Sequence, residues 1–158
     1  MWRTAENGEI VLDRTSCMLV EAIRVWHGGK RNWHLMRREF NTMLGDEKGA
    51  WALGHFEDVM LAIATRGKRS LWVGEQGQSH PTPDEMLVLR GLAAVQRDEF
   101  DFLAIVLENL FPDYHRAEPA IDIMALARLM SQNGQQIGFY DDEDEDWIER
   151  PLVAMAAE

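Results

Sequence analysis

One cysteine, Cys17, is all the thiol chemistry this chain carries. That excludes an intrachain disulfide and any CxxC metal knuckle. Neither GxGxxG nor GxxxxGK[ST] occurs, so the glycines form no known phosphate cradle. HExxH is missing, which leaves zinc without a local motif. GxSxG is missing too, which removes the usual mark of a serine nucleophile. No run approaches the roughly 18 apolar residues of a membrane span, and residues 1–9 lack the apolar core of a signal peptide. The expectation is a cytoplasmic protein that has no membrane segment, requires no cofactor, and leans away from being an enzyme.

What is present is an ordinary globular composition with uneven charge. The chain has 158 residues, 46% hydrophobic and 27% charged, enough for one domain with a substantial core and unlike a disordered chain. Six Trp, six Phe and nine Met supply large core side chains. The net charge is −11. Residues 141–158 hold eight acids and one arginine, a share of −7, which leaves −4 for the other 140 residues. The acidity is therefore local, concentrated in the run Asp141, Asp142, Glu143, Asp144, Glu145, Asp146 ahead of Trp147. An acidic balance argues against non-specific nucleic-acid binding, which depends on neutralising phosphates.

Apolar spacing and stop signals divide the body into helices. Asp13, Thr15 or Ser16 caps a first helix running to His27, with Leu19, Ile23 and Trp26 on one face and Gly28-Gly29 at its end. Asn32 caps a second, to Leu44, striped by Trp33, Met36, Phe40 and Met43. Asp46 opens a third, with Leu53, Phe56, Met60 and Ile63 inside and Gly67 after it. The clearest start is Thr82-Pro83-Asp84-Glu85, a capping box with proline at the first helical position; this fourth helix runs to Gln96. Asp98 is read as the cap of a fifth, ending near Leu110. A sixth spans 119–132. Ile10-Val11-Leu12 reads as a short strand. Leu71-Trp72-Val73 and 136–140 read as strand-like segments able to pair with each other.

The expected fold is all-α: about six helices in one compact orthogonal or bundle-like domain over 1–140, with room for a minor short strand pair. The 67–82 loop is a sub-boundary within it, and 141–158 form an acidic, then apolar, tail.

Charge segregation gives the first functional reading, a non-enzymatic regulatory or adaptor protein that binds another protein. Its partner-binding candidates are Arg31, His34, Arg37 and Arg38, with Asp141, Asp142, Asp144 and Trp147 in the acidic run. Homodimerisation through an apolar helix face fits the same reading. The alternative is an enzyme or sensor with a small-molecule or metal pocket between the helical halves, lined by Trp72 and His80, with His34 or His55 as the titrating group. Nucleic-acid binding through Arg31, Arg37, Arg38, Lys68 and Arg69 is the weaker third reading. No metal ligand set is assigned, because no histidine sits in a ligand motif. The paired acids Glu57/Asp58 and Asp84/Glu85 suit helix first turns or solvated faces.

Overall fold

The computed structural model describes residues 3–4 and 10–138. Among them are six helices: α1 (Arg14–His27), α2 (Trp33–Leu44), α3 (Asp46–Arg66), α4 (Pro83–Gln96), α5 (Phe100–Leu110) and α6 (Ala117–Gln132). A single 3₁₀ turn, Asp113–His115, precedes α6. A minimal antiparallel pair, β1 (Arg3–Thr4) and β2 (Ile10–Val11), stands ahead of α1. The all-α fold of six helices is as the periodicity implies.

Local chemistry sets most of the boundaries. The Asp13 carboxylate accepts the Ser16 N–H at 2.8 Å and caps α1. Gly29 at φ +91° turns the chain after it. At Thr82 both halves of the capping box are made. Gly45 alone separates α2 from α3, at φ 88° and ψ 163°, a conformation essentially reserved for glycine.

That one-residue corner folds α2 back onto α3, and Gly49 is what lets them close. A Cβ at Gly49 would lie 2.8 Å from the Asn41 Cα. Gly49→Ala is therefore expected to cost about 1–3 kcal/mol by overpacking. A fall in the urea midpoint with an unchanged slope is the expected result; an unchanged midpoint would show that the helices separate freely.

One core joins the six helices. α2 packs on α3, α3 on α6, α4 on α5 and α6, and α1 on α2 and α4. Every residue of α4 from Asp84 to Val95 is buried, so this helix runs through the centre. Gly91 lets α5 approach it, since a Cβ there would meet Val106 Cγ1 at 3.2 Å. Phe40, Phe56, Phe111, Leu89 and Met130 are among the most completely buried side chains.

Three boundary readings need correction. Leu71–Val73 do not pair with 136–138 (139–140 lie outside the described residues). The backbone groups of the first segment are taken by side chains at the start of α4: Trp72 N–H donates to Asp84 Oδ2 at 2.7 Å, and Thr82 Oγ1 donates to the Trp72 carbonyl at 2.6 Å. Ile137 N–H donates to Gln96 Oε1 instead of to a strand. Asp98 does not cap α5. It adopts φ +58°, a conformation Asp tolerates, to make the tight turn out of α4, and Glu99 becomes the boundary residue. The sixth helix starts two residues early, at Ala117, with Pro119 inside its first turn where no N–H partner is needed.

Candidate functional site

The loop between α3 and α4 is held by two carboxylates that are adjacent in sequence. Arg24 on α1 and Glu85 on α4 form a bidentate pair, Nε to Oε2 at 2.8 Å and Nη2 to Oε1 at 2.9 Å. Their side chains are 3% and 0% exposed. Arg24 also donates to the carbonyls of Gln78 (2.7 Å) and His80 (3.0 Å). Glu85 also accepts the N–H groups of Thr82 (2.8 Å) and Gly74 (3.1 Å). Both charges are thus saturated with hydrogen bonds, as buried ions must be. The bonds to Glu85 raise the Arg24 pKa against the opposing effect of burial. Gly74 lies directly on the guanidinium, where a Cβ would come within 2.8 Å of Nη2. Beside this hub Asp84 takes a second bidentate arginine, Arg69, at 2.7 and 2.8 Å. The pair Asp84/Glu85 does sit in a helix first turn, but buried and ion-paired, so the solvated-face reading is wrong for it.

In this arrangement both carboxylates and both guanidinium groups are engaged with one another or with backbone groups of the loop. Trp72 stands 57% exposed, and His80 is exposed with its carbonyl on Arg24. A cavity of about 320 Å3 is lined by His27, Ile63, Gly67, Arg69 and Leu71; neither Trp72 nor His80 borders it.

The basic residues differ in pairing, and Arg14, Lys48, Lys68 and Arg128 are exposed with no ion pair among the described residues. Arg24, Lys30, Arg66, Arg69, Arg97 and Arg116 each hold a carboxylate. Lys30 is fixed by Glu57 at 2.6 Å while standing over the Trp26 and Trp33 rings, and Trp33 Nε1 donates to the same carboxylate. Arg31, His34, Arg37 and Arg38 are exposed and make no ion pair among the described residues. The reason is geometric. Trp33, Met36, Phe40 and Leu44 turn the apolar face of α2 into the core, which directs His34, Leu35 and Arg38 to solvent with Arg37 at their flank. Leu35, 40% exposed, adds an apolar spot within this cationic face. The second basic cluster is largely neutralised: Arg66 and Arg69 are held by Glu118 and Asp84, and Lys68 alone of the three is exposed without an ion pair among the described residues. Asp141, Asp142, Asp144 and Trp147 lie outside the described residues.

The histidines read as alternatives for one pocket lie on three different elements: His34 on α2, His55 on α3 and His80 in the loop. His55 has the partner that sequence could not supply. Its Nδ1 lies 2.9 Å from Asp122 Oδ1 on α6, 67 positions away. Asp58, one turn along α3, completes a group whose donor atoms all lie within 4.8 Å of one another. Only Asp58 was visible as a neighbour from local spacing.

Cys17 lacks the surroundings of a nucleophile. Desolvation first, and then the Asp13 charge, push its thiol above the ordinary range.

No protein-family model, curated protein or solved structure matches the chain. Fold and surface together define an all-α protein of six helices with a buried ion-pair hub and, among the described residues, a cationic α2 face that makes no ion pair. Among the described residues, no helix is long and apolar enough to cross a membrane.

Proposed function

We propose that this protein is a non-enzymatic binding module whose α2 face takes an acidic segment of another protein. The observation that carries the reading is a clustering: among the described residues Arg31, Arg37 and Arg38 are exposed without an ion pair and lie together on α2 and the turn just before it, whereas the other exposed bases without one, Arg14, Lys48, Lys68 and Arg128, are scattered along the chain and six further cations are held by carboxylates. The net charge of −11 repels an acidic segment elsewhere on the surface, so the local cationic face sets where and in which orientation such a partner docks. Arginine suits the task because its planar fork grips a carboxylate in two places. Leu35 offers a small apolar anchor within the charge. The Gly45 corner and the Lys30–Glu57–Trp33 cluster hold α2 against α3.

The test is the triple variant Arg31→Glu/Arg37→Glu/Arg38→Glu. Exposed charge pairs contribute up to about 1 kcal/mol each, and reversal replaces attraction by repulsion. The expected loss in affinity for a labelled oligoglutamate peptide is about tenfold to a few hundredfold. Binding by the unaltered protein should also collapse between about 0.1 M and about 1 M salt, as the screening length falls from roughly 10 Å to roughly 3 Å. Proteins captured from the host extract should be lost by the same variant. Capture of the same set by both proteins would sink the reading. Binding of a DNA duplex but not the peptide would transfer the face to nucleic acid.

A further inference from the structure

We propose that His55, Asp58 and Asp122 hold one divalent transition-metal ion of the zinc class on the face shared by α3 and α6. This goes beyond the α2 reading and is independent of it.

The donor set is one imidazole nitrogen and two carboxylate oxygens, all within 4.8 Å of one another. Ligands of one such ion sit about 2.0–2.2 Å from it, so small side-chain rotations bring these three onto a common centre. The backbone that carries them is already fixed. His55 and Asp58 are three apart on α3 and therefore neighbours on its surface. Asp122 comes from α6, which runs antiparallel to α3. Lys48 to Asn133 (3.4 Å) and Arg66 to Glu118 (2.6 Å) tie the two helices on either side of the trio. Ligands carried on two packed helices are held more accurately than ligands on a loop.

The chemistry selects the ion. An oxygen-only site would favour Mg2+ or Ca2+; an imidazole beside carboxylates favours Zn2+, Co2+ or Ni2+. His55 and Asp122 are half-buried and Asp58 is exposed, so the ion is reached from solvent and keeps water in its remaining positions. Without metal, His55 and Asp122 hold each other through a 2.9 Å hydrogen bond. Binding exchanges that bond for two bonds to the ion, and any proton on the ligating nitrogen passes to solvent, so affinity falls as the pH is lowered.

A second observation marks this face independently of the donors. Trp51, Leu61 and Ile121 are 53%, 53% and 64% exposed. Trp51 lies one turn before His55 on α3, Leu61 one turn after Asp58, and Ile121 beside Asp122. Exposed apolar side chains thus lie next to the trio along both helices.

The experiment is calorimetric titration of Zn2+ into the full chain after chelator treatment and dialysis. Co2+ absorption in the visible region serves as a second readout. The variants are His55→Ala, Asp58→Asn and Asp122→Asn, each checked for folding by circular dichroism. The expected result is one ion per chain for this site, weaker at pH 5.5 than at pH 7.5, with each variant lowering affinity at least about tenfold. The Asp122→Asn variant keeps a hydrogen-bond partner for His55 and so separates loss of ligation from loss of packing. Absence of saturable binding overturns the proposal. So does binding that survives His55→Ala unchanged, which would place the ion on other acidic groups such as those of 141–146.

Discussion

Replacing Arg24 with methionine is expected to destabilise the protein by about 3–5 kcal/mol, a large part of the 5–15 kcal/mol typical of a domain. Methionine fills much of the space of the arginine stem, so the loss isolates the charge rather than the packing. Four hydrogen bonds disappear at once, two to Glu85 and one each to the Gln78 and His80 carbonyls. Glu85 would remain fully buried as an anion with only the Thr82 and Gly74 N–H groups to face it. An ion left in the interior without its counter-ion costs far more than the pair contributes when intact. The double variant Arg24→Met/Glu85→Gln should therefore recover part of the loss, because the neutral amide still accepts the capping hydrogen bond. Urea unfolding of the two variants measures the coupling. Limited proteolysis supplies a local readout, with faster cleavage expected within 75–81 in Arg24→Met. A loss below about 1 kcal/mol, or no coupling with Glu85→Gln, would mean the hub is incidental to stability.

Helix existence was legible in the sequence wherever the controlling interaction is local. Thr82 and Glu85 are three residues apart, Asp13 and Ser16 likewise, and Gly45 forms its corner unaided; each acts through backbone chemistry that neighbours alone determine. The misreadings have one physical cause. Leu71-Trp72-Val73 carries strand-like residues, but whether its backbone pairs with a strand or with carboxylates depends on what α4 brings beside it. Asp84 and Glu85 look the same on paper whether water or arginine faces them, and Arg24 lies 61 positions from Glu85. The cationic face was legible because Trp33, Met36 and Phe40 fix which side of α2 points inward. That Arg66 and Arg69 would be neutralised was not, since Glu118 meets Arg66 across 52 positions. Asp122 beside His55 belongs to the same class of fact. Site chemistry in this protein is made of contacts between distant helices, and periodicity carries no information about those.

Phe56→Ala is expected to cost about 3–5 kcal/mol, the range for emptying a fully packed aromatic site. Phe56 is 1% exposed on the inner face of α3. Its ring stacks near Trp33, with centroids 6.2 Å apart and planes at 28°, and tilts against Phe40 at 6.0 Å. Both neighbours belong to α2, so the cavity would open under the helix that carries Arg31, His34, Arg37 and Arg38. The next residue, Glu57, faces outward and holds Lys30 and the Trp33 indole. Loosening Phe56 therefore frees Trp33 from below while Glu57 still grips it from above. Phe56→Leu, which retains most of the volume, should cost clearly less than Phe56→Ala. Denaturant midpoints with an unchanged slope test the magnitude; a loss under about 1.5 kcal/mol would show that α2 collapses onto α3 to fill the space. Peptide binding by Phe56→Ala, measured at a temperature where it remains folded, then tests the link from core to surface. If α2 acts as a rigid platform, affinity falls although every surface charge is intact. If affinity is unchanged, the arginines act as a diffuse charge cloud and their geometry is immaterial.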